Sequence, residues 1–149
     1  MKFEKEIQQD KFRSAKQKAT LNLLFTSNWL TNKHKEFFKE FGLTPQQYNV
    51  LRILRGQFPK SISTSDIKTR MLDKNSDASR IVDRLTIKGW VHKTISPTDR
   101  RLVDVLISSD GLKLLEKMDS LTDQLDHTIG LTEKEAHQLS NLLDKARLE

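Results

Sequence analysis

The sequence predicts a mainly α fold carrying one small β-hairpin (α+β), and three observations set that prediction. Apolar residues recur at helical spacings of three and four over most of the chain. Capping signatures mark where successive helices begin. One stretch alone, residues 90–107, changes to a period of two and is rich in β-branched residues.

The elements follow in order. From about Lys11 to Phe41 there is no Gly or Pro, and Leu21, Leu24, Phe25, Trp29 and Leu30 lead into Phe37, Phe38 and Phe41, which predicts one long helix. Gly42 ends it. A second helix opens at Thr44 with Pro45 at its first position, Gln47 closing a capping box and Leu43 placed to staple onto Tyr48; it runs to Gly56. After Pro59, Ser63-Thr64-Ser65-Asp66 has the capping-box form and opens a short helix that buries Ile67 and Met71 and ends near Asp73. The next helix begins at Asn75 or Ser76. It puts Ala78, Ile81, Val82 and Leu85 on one face, leaves Asp77, Ser79, Arg80, Asp83, Arg84 and Lys88 outward, and is stopped by Gly89.

Trp90–Ile95 and Arg101–Ile107 then read as two strands around the turn formers Ser96–Arg100. Beyond them Ser108 or Ser109 caps a helix bearing Leu112, Leu115, Met118, Leu121, Leu125 and Ile129. A third capping box, Thr132 to Glu135, opens a last helix with Leu139, Leu142, Leu143 and Ala146 in its stripe.

At 149 residues the chain has the size of a single domain, large enough for a core without staples. With no cysteine, a disulfide framework, a thiolate metal site and a thiol redox switch are excluded. No apolar run approaches the roughly 18 residues of a membrane span, and residues 1–6 lack a signal-peptide core, so no membrane contact and a cytoplasmic location are expected. The final Leu148-Glu149 is consistent with a cloning scar and carries no weight. His34, His92, His127 and His137 are scattered over four elements without an i, i+4 pair, so no metal or other cofactor is expected. No Ser-His-Asp order, glycine-rich phosphate loop or paired carboxylates point to an enzyme.

Charge is segregated. Residues 1–51 hold 9 Lys/Arg against 5 Asp/Glu, residues 52–104 hold 12 against 6, and residues 105–149 hold 5 against 9. A basic middle beside an acidic end suits a module for a polyanion joined to a separate packing module. The basic middle contains two short helices joined by about four residues, the second with an arginine-bearing outer face, followed at once by a hairpin. That is a winged helix-turn-helix, whose natural partner is double-stranded DNA. Ser76, Asp77, Ser79 and Arg80 fall in the first turns of the recognition helix, where base edges and phosphates are within reach, and Arg80 is the leading base contact. Arg84 and Lys88, one and two turns on, suit phosphates. A merely solvated charged face is the competing reading for this helix, whereas two adjacent exposed arginines at the hairpin turn, Arg100 and Arg101, have no evident structural role.

In this order and spacing the residues resemble the MarR (multiple antibiotic resistance regulator) family. The carriers are Leu43-Thr44-x-x-Gln47, Ser79 to Leu85 with Lys88-Gly89-Trp90-Val91, Asp99-Arg100-Arg101, and Val105-x-Ile107-Ser108-x-x-Gly111, where the family usually has Leu-Thr in place of Ile-Ser. The resemblance spans nearly the whole chain. It implies a winged lobe at about 43–107, and N- and C-terminal helices, about 1–41 and 108–147, forming a dimerisation lobe of one MarR-like domain spanning 1–149. It implies a wing tip in the minor groove with Arg101 inserted and Asp99 bracing the turn. It implies a homodimeric repressor on a palindromic operator, its recognition helices roughly 34 Å apart, and a small aromatic or phenolic effector for which Trp29, Phe38 and Tyr48 are candidate contacts. The other reading is a nonspecific or architectural DNA binder without a ligand.

Overall fold

The computed structural model describes residues 2–148; Glu149, the second half of the terminal Leu148-Glu149 pair, lies outside the described residues. The chain forms α1 (Phe3–Glu6), α2 (Ala15–Lys39), α3 (Pro45–Gln57), β1 (Ile62–Ser63), α4 (Thr64–Arg70), α5 (Ala78–Ile87), β2 (Val91–Ile95), β3 (Val103–Ile107), α6 (Ser109–Asp119), α7 (Asp123–Asp126) and α8 (Glu133–Ala146). It is mainly helical, as the periodicities predict, with a small antiparallel sheet of order β1-β3-β2.

The long helix starts at Ala15 rather than Lys11. Ser14 adopts an extended conformation and its hydroxyl accepts the Gln17 N–H at 3.0 Å, so the chain before it is free to turn back. There Phe3 is buried between Phe12, with ring centroids 6.1 Å apart, and Phe25 of α2, at 5.7 Å edge-on, while Lys18 pairs with Glu4. The far end of α2 closes as a Schellman motif: the Leu43 N–H reaches the Phe38 carbonyl, the Gly42 N–H reaches Lys39, and Gly42 sits at φ +68°. The Thr44 capping box forms in both directions.

The core gathers Phe38 and Leu43 with Val50, Leu51 and Leu54 of α3, Ile67 of α4, Val82 and Leu85 of α5, Val91, Val105 and Ile107 of the sheet, and Leu115 and Met118 of α6. Of the 25 residues of α2, Phe38 alone is buried, and Leu23, Leu24, Phe25 and Trp29 lie exposed along it.

Several boundaries differ from the sequence reading, each for a local reason. The α4 helix ends at Arg70, short of Asp73, because Met71 turns extended and the Leu72 N–H is taken by the Asn49 side chain of α3 at 3.0 Å. The α5 helix begins at Ala78, after Asp77 rather than at Asn75 or Ser76, because the Asp77 carboxylate accepts the Arg80 N–H at 3.1 Å. The expected helix from 108 to 129 is broken: the hydroxyls of Ser120 and Thr122 bond to the carbonyls of Lys117 and Asp119, offering the backbone an alternative to helix, and only a single turn, α7, follows. Strand β1, which the sequence reading lacks, is two residues long and exists only through its pairing of Ile62 with Val105 and Ser63 with Asp104.

Candidate nucleic-acid interface

Helix α5 packs Ala78, Val82 and Leu85 inward and leaves Ser79, Arg80, Asp83 and Arg84 exposed on the opposite side. Its C-terminus is a second Schellman motif, with Trp90 N–H on the Leu85 carbonyl, Gly89 N–H on Thr86, and Gly89 at φ +76°. The chain therefore leaves the helix straight into β2. Strand β2 pairs with β3 from Val91↔Ile107 to Ile95↔Val103, and the connecting turn is tied by Ser96 N–H to the Leu102 carbonyl at 2.9 Å. Lys93 of β2 reaches across to Asp83 of α5 at 2.6 Å, bracing the helix against the hairpin.

At the tip, the Asp99 carboxylate accepts the Arg101 N–H at 2.9 Å and stands 3.6 Å from its guanidinium, whose side chain remains 94% exposed. A groove of about 550 Å³ runs between the start of α4, the start of α5 and the wing, lined by Ser63, Thr64, Ser65, Lys68, Ser79 and Arg101. Hydroxyls, backbone donors at a capped helix start and two cations make it a surface for an anionic backbone. Among the described residues, the guanidinium groups of Arg80, Arg84 and Arg100 have no intramolecular partner and are exposed.

The MarR family model matches residues 43–103, the span that holds this helix and most of the hairpin. The HTH-type transcriptional repressor IacR of Pseudomonas putida is 31% identical over 129 residues, covering 80% of this chain and 76% of the relative. The chain belongs to the MarR family. Among solved structures, a MarR transcription factor from Planctomyces limnophilus superposes with a TM-score of 0.71 at 35% identity, over 90% of this chain and 98% of that one. A MarR variant from Escherichia coli in complex with operator DNA gives 0.73 at 27% identity, over 85% and 92%. This MarR-family chain is thus a DNA-binding transcriptional regulator with a winged-helix fold.

Within the MarR frame, the residues singled out from sequence part company. Ser79, Arg80 and Arg84 lie together on the outer face of α5, and Asp99, Arg100 and Arg101 lie together at the wing tip. Ser76, expected in the first helical turn, precedes the helix and is 7% exposed, and together with Asp77 it lines the wing groove. Asp77 is the helix cap. Lys88, expected to hold a phosphate, is exposed and folds back along the lobe: its ammonium bonds to the Gly42 carbonyl, lies 3.5 Å from Gln47 Oε1 and 4.9 Å over the Trp90 ring. It ties the end of α5 to the α2–α3 turn.

Thr64, Ser65 and Lys68 were missed by sequence reading. The capping signature at Ser63 places them in the first turns of a helix whose start opens on the same groove, and that is the signal that finds them.

Two of the three effector candidates are brought together and the third is not. Phe38 and Tyr48 pack on each other, ring centroids 4.3 Å apart, with Phe38 in the core, while Trp29 lies nine residues earlier on α2 and exposed, roughly 13 Å along the helix axis. Arg52 donates to the Tyr48 hydroxyl at 3.2 Å. Among the described residues no group of three His, Asp or Glu side chains is placed to hold a metal ion, and no helix is long and apolar enough to cross a membrane.

Proposed function

We propose that this chain is a homodimeric cytoplasmic repressor that binds a palindromic operator and is released by a small-molecule effector. Residues 43–107 read the DNA, and the helices of 1–41 and 108–147 make the dimer. The observation that carries the reading is the placement of two exposed arginines about one groove: Arg101 at a braced wing tip that lines it, and Arg80 on α5 next to Ser79, which lines it too. Arg80 would meet base edges in the major groove. Arg101 would enter the adjacent minor groove, where arginine responds to groove width and negative potential.

Two relatives support the reading by what is printed of them: one is a repressor, and the other was solved with operator DNA. The dimer is supported by the exposed apolar side chains of Leu23, Leu24 and Trp29 on α2 and Leu139 and Leu142 on α8, which no element among the described residues covers. A two-fold pair would present its recognition helices one duplex turn apart.

Site selection from a random duplex library at near-physiological salt tests this. Recovery of an inverted repeat with half-sites about ten base pairs apart is expected, with a preference over random duplex of roughly a thousandfold or more. The excess of Lys/Arg in residues 52–104 favours a second reading, a nonspecific or architectural binder. Under it, DNA is retained but yields no motif.

A further inference from the structure

The polar wall of the wing groove consists of hydroxyl residues, Asn75, Lys68, Arg101 and a single carboxylate, Asp77. That carboxylate is exposed, accepts the Arg80 N–H as the cap of α5, and takes part in no ion pair among the described residues. Capping does not call for a charge, because Asn, Asp and Ser serve about equally well. Helices α2, α3, α4, α6 and α8 are capped by the hydroxyls of Ser14, Thr44, Ser63, Ser108 and Thr132, and α5 alone by a carboxylate. The positive end of the α5 dipole welcomes a negative charge there, but a DNA backbone does not. Beside it Ser76 is 7% exposed, and its hydroxyl has no hydrogen-bond partner among the described residues, so folding leaves a polar atom of this wall unsatisfied.

We propose that Asp77 is a specificity-determining residue whose carboxylate accepts from the amino group of a cytosine in the major groove. Phosphate oxygens accept and never donate, so a carboxylate set against them is repelled. Among base edges, guanine offers the acceptors N7 and O6, thymine offers O4, and adenine sets its N7 acceptor beside its amino donor. Cytosine offers the N4 donor alone. Asp77 precedes Arg80 by three residues, about 4.5 Å along a helix axis. One base-pair step is about 3.4 Å, so the two side chains address neighbouring base pairs. The inference rests on the DNA-binding reading above and adds what discriminates within it: Arg80 is drawn to any duplex, whereas Asp77 is repelled by each one that does not donate back.

Site selection with the wild type, then fluorescence anisotropy on single-base variants of the selected site and on random duplex, tests this with Asp77→Asn and Asp77→Ser. Both substitutions keep a capping oxygen, so their urea midpoints should stay close to the wild-type value and show that each variant is folded. At one position of each half-site the wild type should prefer cytosine by about tenfold. Asn pairs bidentately with adenine, so Asp77→Asn should move that preference to adenine, and Asp77→Ser should relax it. Both variants should bind random duplex about three- to tenfold more tightly, through the loss of one like-charge repulsion.

Base preference unaltered in both variants overturns the cytosine contact, whether or not random duplex is bound more tightly. A changed position at which the wild type does not prefer cytosine overturns it too. If the wild type retains no duplex or yields no motif, the reading above fails and this inference with it. A recovered motif that both variants leave untouched fails this inference alone.

Discussion

Gly111 sits in the first turn of α6 directly beneath the end of the recognition helix, and a Cβ placed there would stand 2.3 Å from the Trp90 carbonyl oxygen and 2.8 Å from Ile107 Cγ1. Real Cβ atoms essentially never come within 3.0 Å, so Gly111→Ala forces a separation of at least about 0.7 Å. The oxygen cannot swing aside alone, because it also accepts the Ser108 N–H at 3.0 Å, and Ile107 is part of the core. Overpacking costs about 1–3 kcal/mol, and a weakened buried hydrogen bond adds about 1–3 kcal/mol. Alanine returns about 1 kcal/mol of helix propensity. The net expectation is a loss of about 1–5 kcal/mol, or roughly 2–20 °C in Tm for a chain of this length.

Urea unfolding at fixed protein concentration, followed by circular dichroism and tryptophan emission, measures it; fixed concentration keeps any dimer linkage constant. Gly56→Ala is the matched control, because it lies inside α3 with nothing within 4 Å of the added methyl, and it should stabilise by up to about 1 kcal/mol. A Gly111→Ala protein as stable as the wild type would refute the packing argument.

Further outcomes are expected. Arg80→Ala should cost about 1–3 kcal/mol on a selected site and relax preference at one position of each half-site, read by fluorescence anisotropy on single-base variants; uniform loss on every duplex would reassign it to phosphate. Arg101→Ala should weaken sites with narrow minor grooves by about tenfold and G·C-rich flanks much less, checked on paired duplexes differing only there. Arg55 grips Asp119 of α6 through bonds of 2.9 to 3.1 Å, but Asp119 is about half exposed, so Asp119→Ala should destabilise by only about 0.5–1 kcal/mol in urea unfolding, even though the geometry is bidentate. Desolvation holds the His34 imidazole below its ordinary 6.5, so the unfolded chain takes up that proton first. The stability present above pH 6.5 should therefore fall as pH drops through the lower folded-state value; His34→Gln should flatten unfolding curves compared between about pH 7.5 and 5.

What was legible in sequence is what local chemistry decides. Thr44 with Gln47, Thr132 with Glu135, and the glycines at 42 and 89 act through backbone groups three to five residues away, and each appears where the pattern puts it. The outward set of α5 and the wing tip follow from periodicity and turn chemistry. What was not legible depends on partners distant in the chain. Strand β1 exists because Val105 is there to pair with Ile62, and Lys88 folds along the lobe because the Gly42 carbonyl lies 46 residues back. Tyr48 and Phe38 pack on each other, since the turn at Gly42 brings their rings together. Arg80 and Arg101 could be ranked early because helix periodicity and turn chemistry alone place them outward, and both are exposed.

Ser108 joins two elements with one side chain. Its hydroxyl donates to the Gly89 carbonyl at 2.7 Å, accepts the Gly111 N–H at 3.0 Å, and is 4% exposed, while its own N–H holds Trp90. The closing turn of the reading helix and the opening turn of α6 are thus welded at one atom, with Gly111 leaving no gap between them. A weld carries torque without slack. A tilt of α6 would therefore carry α5 with it, whereas residues 120–132, where helical bonding is interrupted and α7 is a single turn, lack such a tie. In the proposed dimer the recognition surface would turn with α6 about that bearing, and the distance between two such surfaces would be set far from the residues proposed to touch DNA.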